Sequence, residues 1–217
     1  MAARFHAVIF DNDGLLLDTE AAWTRAEEDL FARRGRVFTV DHKRALIGTS
    51  PSTSAVMLEA MLDRPGEGEA LAHELHELVM EEALNGVSPR EGALELIDAL
   101  RAAGVPLAVA SNSRRQFVER VLAGAGLLNG SFDAVVTADD VAQPKPAPDL
   151  YLYACSALGA APERSAALED SPVGVASALA AGLYVVAVPY FADTRIEGAS
   201  LTARTLADPE VAASLGV

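Results

Sequence analysis

Short apolar runs that end in polar clusters alternate with helical patterning along most of this chain. The runs are Ala7 to Phe10, Leu107 to Ala110, Ala134 to Thr137, Ala166 to Leu168 and Tyr184 to Val188. Each reads as a strand that is apolar on both faces. Strands of that kind, alternating with helices, predict a parallel sheet covered on both sides. In such sheets ligands bind beyond the carboxyl ends of the strands. At those ends the chain carries Asp11 and Asp13, Ser111, Asp139 and Asp140, and Glu169 and Asp170.

Between Leu17 and about Asn85 the strand signals vanish. Helices are predicted over Glu20 to Arg34, Asp41 to Leu46, Ser52 to Leu62 and Glu67 to Leu84, broken at Arg34-Gly35, Gly48 and Arg64-Pro65-Gly66. A helical insertion of about 70 residues far exceeds an ordinary βα connection of a few residues. It is therefore expected to form a separate small bundle, reached through two crossings near Leu15 to Asp18 and Leu84 to Ser88. The expected architecture is α/β: residues 1–16 and 86–217 form a doubly wound, Rossmann-like parallel-sheet core, and residues 17–85 form an inserted helical-bundle cap. The crossings would serve as hinges for a lid.

At 217 residues and 51% hydrophobic content the chain can bury a full-sized core. Its formal charge of -14 argues against a general affinity for nucleic acid or anionic membrane, because both need a basic face. Any anionic substrate must then be captured by a local cation cluster. A single cysteine, Cys155, allows no intramolecular disulfide and reads as core. With no apolar leader at the start and no apolar stretch near the roughly 20 residues of a membrane span, the expectation is a cytoplasmic protein, and a monomer because an enclosing cap can complete the pocket without a partner chain. The 17 basic residues include only two lysines, Lys43 and Lys145. Lys145 is singled out by its setting in Gln143-Pro144-Lys145-Pro146-Ala147-Pro148, where prolines stiffen the loop that carries it. A solvated loop lysine is the ordinary alternative.

Four clusters carry chemistry. In the first, Asp11-Asn12-Asp13-Gly14 follows a buried strand, and the motif runs on through Leu15-Leu16-Leu17-Asp18-Thr19-Glu20. Two carboxylates two residues apart at a strand end are costly unless a ligand compensates them. The reading is that Asp11 attacks phosphorus, Asp13 handles protons, and a divalent cation neutralises their charge. A solvated Asx turn is the plainer alternative. In the second, Ser111-Asn112-Ser113 leads into a helix near Arg114, where a hydroxyl and free N–H groups can bind phosphate or simply cap the helix. The third is the Lys145 loop. In the fourth, Glu169-Asp170 supplies adjacent hard oxygen ligands suited to magnesium, with helix capping by Asp170 or Ser171 as the alternative.

Taken in order, these motifs resemble the haloacid dehalogenase superfamily over essentially the whole chain, in its capped phosphatase and β-phosphoglucomutase-like branch. The resemblance implies that Asp11 is the nucleophile and Asp13 the general acid/base. It implies phosphate contacts from Ser111, Asn112 and Lys145. A magnesium ion would be held by the Asp11 carboxylate, the Asp13 backbone carbonyl and Asp170, with Glu169 a ligand or a partner of one. It implies a phosphatase acting on a small phosphorylated metabolite through an aspartyl phosphate. An acid at Asp13 favours phosphate esters, since relatives that cleave carbon–halogen bonds or phosphonates lack it.

Within the predicted cap, Arg44 to Pro51 resembles the family's loop around a glycine that reaches into the site. Sugar phosphomutases of this branch carry a Lys before that glycine and an Arg after it. This chain has Ile47 and Pro51 instead. Glu20, Gly48, Thr49 and Ser50 are the expected substrate contacts from the cap, with capping of the next helix an ordinary alternative for Thr49 and Ser50. Trp23 and Phe31 read as cap core, and His73 and His76 as a solvated cap face rather than a metal pair. Arg114 and Arg115 are surface positions that need no substrate role. The competing functional classes are a phosphomutase, a signalling receiver domain, which has no reason for the helical insertion, and a non-catalytic phosphate-binding module.

Overall fold

The computed structural model describes residues 4–217. Its centre is a six-stranded, all-parallel sheet in the order β3-β2-β1-β4-β5-β6. The strands are β1 (Ala7–Phe10), β2 (Leu107–Ser111), β3 (Ala134–Thr137), β4 (Ser165–Glu169), β5 (Tyr184–Ala187) and β6 (Leu201–Thr202). Five match the apolar runs. β6 does not, because two residues at a sheet edge, one of them exposed, leave no pattern to read.

β1, β2 and β4 are buried throughout, which explains their largely apolar sequence. The pleat sends Val8 and Phe10 into one core layer and Ile9 into the other. The Ile9 side is lined by Ala108, Ala110 and Ala167, and these small side chains let α7 (Asp149–Ala157) and α8 (Pro172–Ala180) lie close to the sheet. α5 (Ala93–Ala102), α6 (Arg115–Gly124) and the C-terminal α9 (Pro209–Leu215) contribute Leu96, Phe117 and Val211 to the opposite layer. β1 lies between β2 and β4, so the strand order reverses beside it. Phe10 is in register with Val109 on one side and Leu168 on the other, which brings the three chain ends together.

The residues between β1 and α5 form four helices: α1 (Glu20–Ala32), α2 (Val40–Leu46), α3 (Pro51–Leu62) and α4 (Gly68–Glu82). α4 packs against both α1 and α3, burying Leu71, Leu75 and Val79 with Leu30, Phe31 and Leu58. Where the chain leaves and re-enters the sheet domain, its two segments bond to each other. Asp18 N–H donates to Ser88 O at 2.9 Å and Arg90 N–H to Leu16 O at 2.9 Å, while Leu15, Leu16 and Leu17 are buried in the neck. No helix among the described residues is long and apolar enough to cross a membrane.

Candidate active site

Asp11 is the first residue beyond β1, and its N–H is fixed by Leu168 O of β4 at 2.9 Å. Lys145 reaches it from the proline-flanked loop. The Lys145 ammonium donates to Asp11 Oδ1 at 2.6 Å, to Glu169 Oε1 at 2.5 Å and to Ala110 O at 2.8 Å. All three of its protons are used, and the side chain is buried. Burial would lower the Lys145 pKa, but the two carboxylates outweigh it and raise it. Asp11 Oδ2 accepts no hydrogen bond from the described residues.

Glu169 is wholly buried and both of its oxygens are occupied. Tyr151 O–H joins Lys145 on Oε1 at 2.6 Å, and Oε2 accepts from Asp170 N–H at 3.2 Å and more distantly from Ser171 O–H. Asp170 differs: its Oδ2 is buried with no partner. Carboxylate oxygens of Asp11, Glu169 and Asp170 all lie within 4.8 Å of one another, the only cluster of three or more potential metal ligands among the described residues. Burial pushes the Asp11 and Asp170 carboxyls well above the usual range, and the neighbouring acids add to it. One lysine cannot compensate three buried acids, so this donor set fits a hard divalent cation. Gly14 closes the cradle: its φ is +82°, and a Cβ there would fall 2.3 Å from Asp170 Oδ2.

Asp13 faces the other way. Its Oδ1 accepts from Thr19 O–H at 2.8 Å and Asn12 Nδ2–H at 3.1 Å, and its Oδ2 from Ser111 O–H at 2.9 Å and Ser113 O–H at 2.8 Å. Ser111 thus touches Asp13 directly. Asn112 is used differently from the expectation of a side-chain phosphate contact. Its amide donates to Gly48 O at 2.9 Å and Lys145 O at 3.1 Å and accepts from Lys145 N–H at 2.8 Å. The side chain is therefore saturated, and only its backbone N–H is left for an anion.

A cleft runs from Asp13, Asn112 and Ser113 toward the helical block, lined there by Glu20, Trp23, Glu27, Lys43, Ile47, Gly48, Thr49 and His76. Glu20, Gly48 and Thr49 stand where substrate contacts were expected. Gly48 (φ +72°) lets the loop pass Ser171, whose Oγ would be 2.7 Å from a Cβ. Ser50 does not line the cleft. It is buried as the N-cap of α3, accepting from Thr53 N–H, because Pro51 at the first helical turn makes it the natural cap. Trp23 is not confined to the cap interior: it packs on Phe117 of α6 at 5.2 Å between ring centroids. His76 faces the cleft while His73 lines a separate groove. Asp139 and Asp140 lie at the β3 end but serve α6 and its Arg115, accepting from Arg115 N–H and from its guanidinium.

Sequence reasoning passed over Lys43. Its ammonium lies 2.6 Å from Glu20 Oε2 and 3.0 Å from Glu27 Oε2, and all three residues are buried. The scarcity of lysine that singled out Lys145 applied equally here, but a helical setting gave Lys43 no stiff loop to mark it. Thr19, Ser113 and Tyr151 were also passed over, and a lone hydroxyl carries no spacing signal.

The family model for haloacid dehalogenase-like hydrolases matches residues 5–182. The chain is 33% identical over 190 residues to the fructose-1-phosphate phosphatase YqaB of Escherichia coli K12, an alignment covering 87% of this chain and 98% of that one. It is 33% identical over 192 residues to protein CbbY of Rhodobacter capsulatus, covering 84% and 85%. The crystal structure of a CbbY mutant from Rhodobacter sphaeroides in complex with xylulose-(1,5)bisphosphate superposes with a TM-score of 0.85 at 28% identity, covering 98% of this chain and 100% of that one. With the sheet order, the sheet-edge acids and these matches in agreement, the chain belongs to the haloacid dehalogenase-like hydrolases.

Proposed function

We propose that this protein is a magnesium-dependent phosphatase that hydrolyses a small sugar-phosphate-like monoester through an aspartyl phosphate on Asp11. The observation that carries the reading is the convergence of Lys145 and Asp170, from far along the chain, on Asp11 and Asp13 at one end of the sheet. In it, Asp11 Oδ2, the oxygen not bonded to Lys145, attacks phosphorus. Lys145 orients the nucleophile and offsets its repulsion from the phosphate dianion. Asp13 gives a proton to the departing alkoxide and takes one from the water that cleaves the acyl phosphate. The hydroxyls of Thr19, Ser111 and Ser113 hold its carboxylate toward the cleft. Asp11, Asp170 and the Asp13 backbone carbonyl would hold a magnesium ion, which would supply electrostatic stabilisation of the transferring phosphoryl group. Glu169, with both oxygens already occupied, positions Lys145.

In the same reading residues 17–85 act as a cap over a core of residues 1–16 and 86–217, and the protein works as a cytoplasmic monomer. Phosphatase is preferred to phosphomutase because Ile47 and Pro51 line the cleft where a mutase would need cations for a second phosphate. The relatives point the same way, one being named for fructose 1-phosphate. Phosphate release from a generic aryl phosphate, with and without magnesium, tests the proposal. Multiple turnovers that stop on chelation are expected. A single stoichiometric phosphorylation would indicate a receiver, and no turnover a binding module.

A further inference from the structure

Tyr151 stands in the first turn of α7, wholly buried and outside the lining of the cleft. A buried phenol needs a partner for its hydroxyl, and here the partner is an ion. Tyr151 O–H donates to Glu169 Oε1 at 2.6 Å, the same oxygen that accepts from the Lys145 ammonium at 2.5 Å. The ring serves that lysine too, its centroid lying 5.1 Å from Lys145 Nζ, within the range at which an aromatic face attracts a cation. Glu169 has no room to turn away. Its Oε2 accepts from Asp170 N–H at 3.2 Å, and Gly174 in the first turn of α8 packs so tightly on it that a Cβ there would fall 2.0 Å from both carboxylate oxygens.

We propose that Tyr151 is a positioning residue for the attack by Asp11, acting through Glu169 and Lys145. The inference rests on the phosphatase reading of the Asp11 site. The Lys145 ammonium is shared between two buried carboxylates, with Asp11 Oδ1 at 2.6 Å and Glu169 Oε1 at 2.5 Å, and its place between them depends on how strongly each one pulls. A hydrogen bond from a neutral phenol takes up part of the charge on Oε1 without adding a cation. That tempers the pull of Glu169 and leaves the ammonium on the nucleophile. Without the O–H, Glu169 draws Lys145 toward itself, and the bond that orients Asp11 lengthens. Asp11 then departs from the in-line geometry that attack on phosphorus needs. Binding of the substrate is unaffected, because Tyr151 does not line the cleft.

The test is Tyr151→Phe, which keeps the ring and removes only the O–H. Rapid mixing with an aryl phosphate at saturating magnesium reads attack by Asp11 as release of the first equivalent of aryl alcohol, and calorimetric titration of the metal-free protein reads magnesium binding directly. The rate constant of that first release should fall about tenfold, with the half-saturating substrate concentration and the magnesium dissociation constant each held within about twofold. In a Glu169→Gln background the same substitution should change the rate by less than about twofold, since the group through which it acts is no longer charged. An unaltered rate in Tyr151→Phe, or the same fall in both backgrounds, would overturn the inference and leave the phosphatase reading standing. So would weaker magnesium binding that accounts for the whole loss, because Tyr151 would then support the metal site instead. If circular dichroism shows that Tyr151→Phe does not fold, Glu169→Gln alone decides: a slower first release at unchanged half-saturation supports the linkage from Glu169 to Lys145, and an unchanged rate overturns it. No release by the wild type would overturn both readings.

Discussion

Two lysines are each held between two buried carboxylates. A Cβ on Gly14 would meet both Asp170 of one cluster and Glu20 of the other. At the sheet edge Lys145 joins Asp11 and Glu169, and Asp170 adds a third acid with an orphaned oxygen. In the helical block Lys43 joins Glu20 and Glu27. The arrangements look alike but their charge deficits differ. One ammonium against three acids leaves a deficit suited to a divalent cation, whereas one ammonium against two leaves a deficit that a single proton on Glu27 can meet. The larger deficit is the one that the proposed function assigns to an ion and a phosphoryl group.

The comparison breaks most sharply at Asp11. Asp11→Asn keeps the packing but removes the nucleophile, so kcat for any phosphate ester should fall on the order of 10⁴-fold or more. Full activity in that variant would sink the covalent mechanism. Next in size is the contrast between the lysines. Lys145→Met strands Asp11 and Glu169 without compensation and should cost about 3–5 kcal/mol in metal-free urea unfolding. Lys43→Met should cost less, about 1–3 kcal/mol, because Glu27 already sits near its protonation midpoint at neutral pH. Equal losses would mean that the two clusters meet their deficits in the same way.

A smaller effect appears in the pH dependence of stability. Glu27 is pushed from the ordinary 4.5 up to about 7 by burial, so between those values the folded state holds a proton that the unfolded state has released. Stability from this residue therefore falls as pH rises from 4.5 through 7, by at most about 3 kcal/mol. Glu27→Gln should flatten that part of the profile in urea titrations at several pH values. The smallest expected effect concerns the contact between the helical block and the core. Arg44 on α2 donates to both oxygens of Asp193 at 2.9 Å, and its guanidinium lies 4.5 Å from the centroid of the Phe191 ring. Arg44→Ala should change KM by about two- to threefold with kcat little altered, since it loosens closure without touching the reacting groups. A large fall in kcat alone would place Arg44 nearer the chemistry than its contacts do.

Much of the molecule was legible in one dimension because its signals are local. Apolar runs at Ala7 to Phe10 and Leu107 to Ala110 announce buried parallel strands. Strand-end acids at Asp11, Asp13, Glu169 and Asp170, and a lysine between prolines, announce the chemistry. Loss of strand patterning after Leu17 announces the inserted helices. What could not be read from the sequence shares a cause. Ser50 and Asn112 carry polar groups that fit a substrate or the backbone equally well, and only the folded chain shows that Ser50 caps α3 and that Asn112 ties Gly48 to the Lys145 loop.

The amino-acid sequence alone determined the fold class, the order of the four motifs and the identity of the acids and lysine at the sheet edge, since periodicity and motif spacing are properties of neighbouring residues. Tertiary structure decided which of the two lysines meets which acids, that Glu169 has no free oxygen while Asp170 does, and that Lys43 belongs to the cleft at all. Those outcomes depend on burial and on distances between residues far apart in the chain. The cost of an unpaired charge, which sets a group's protonation and its need for a partner, exists only once water has been excluded around it.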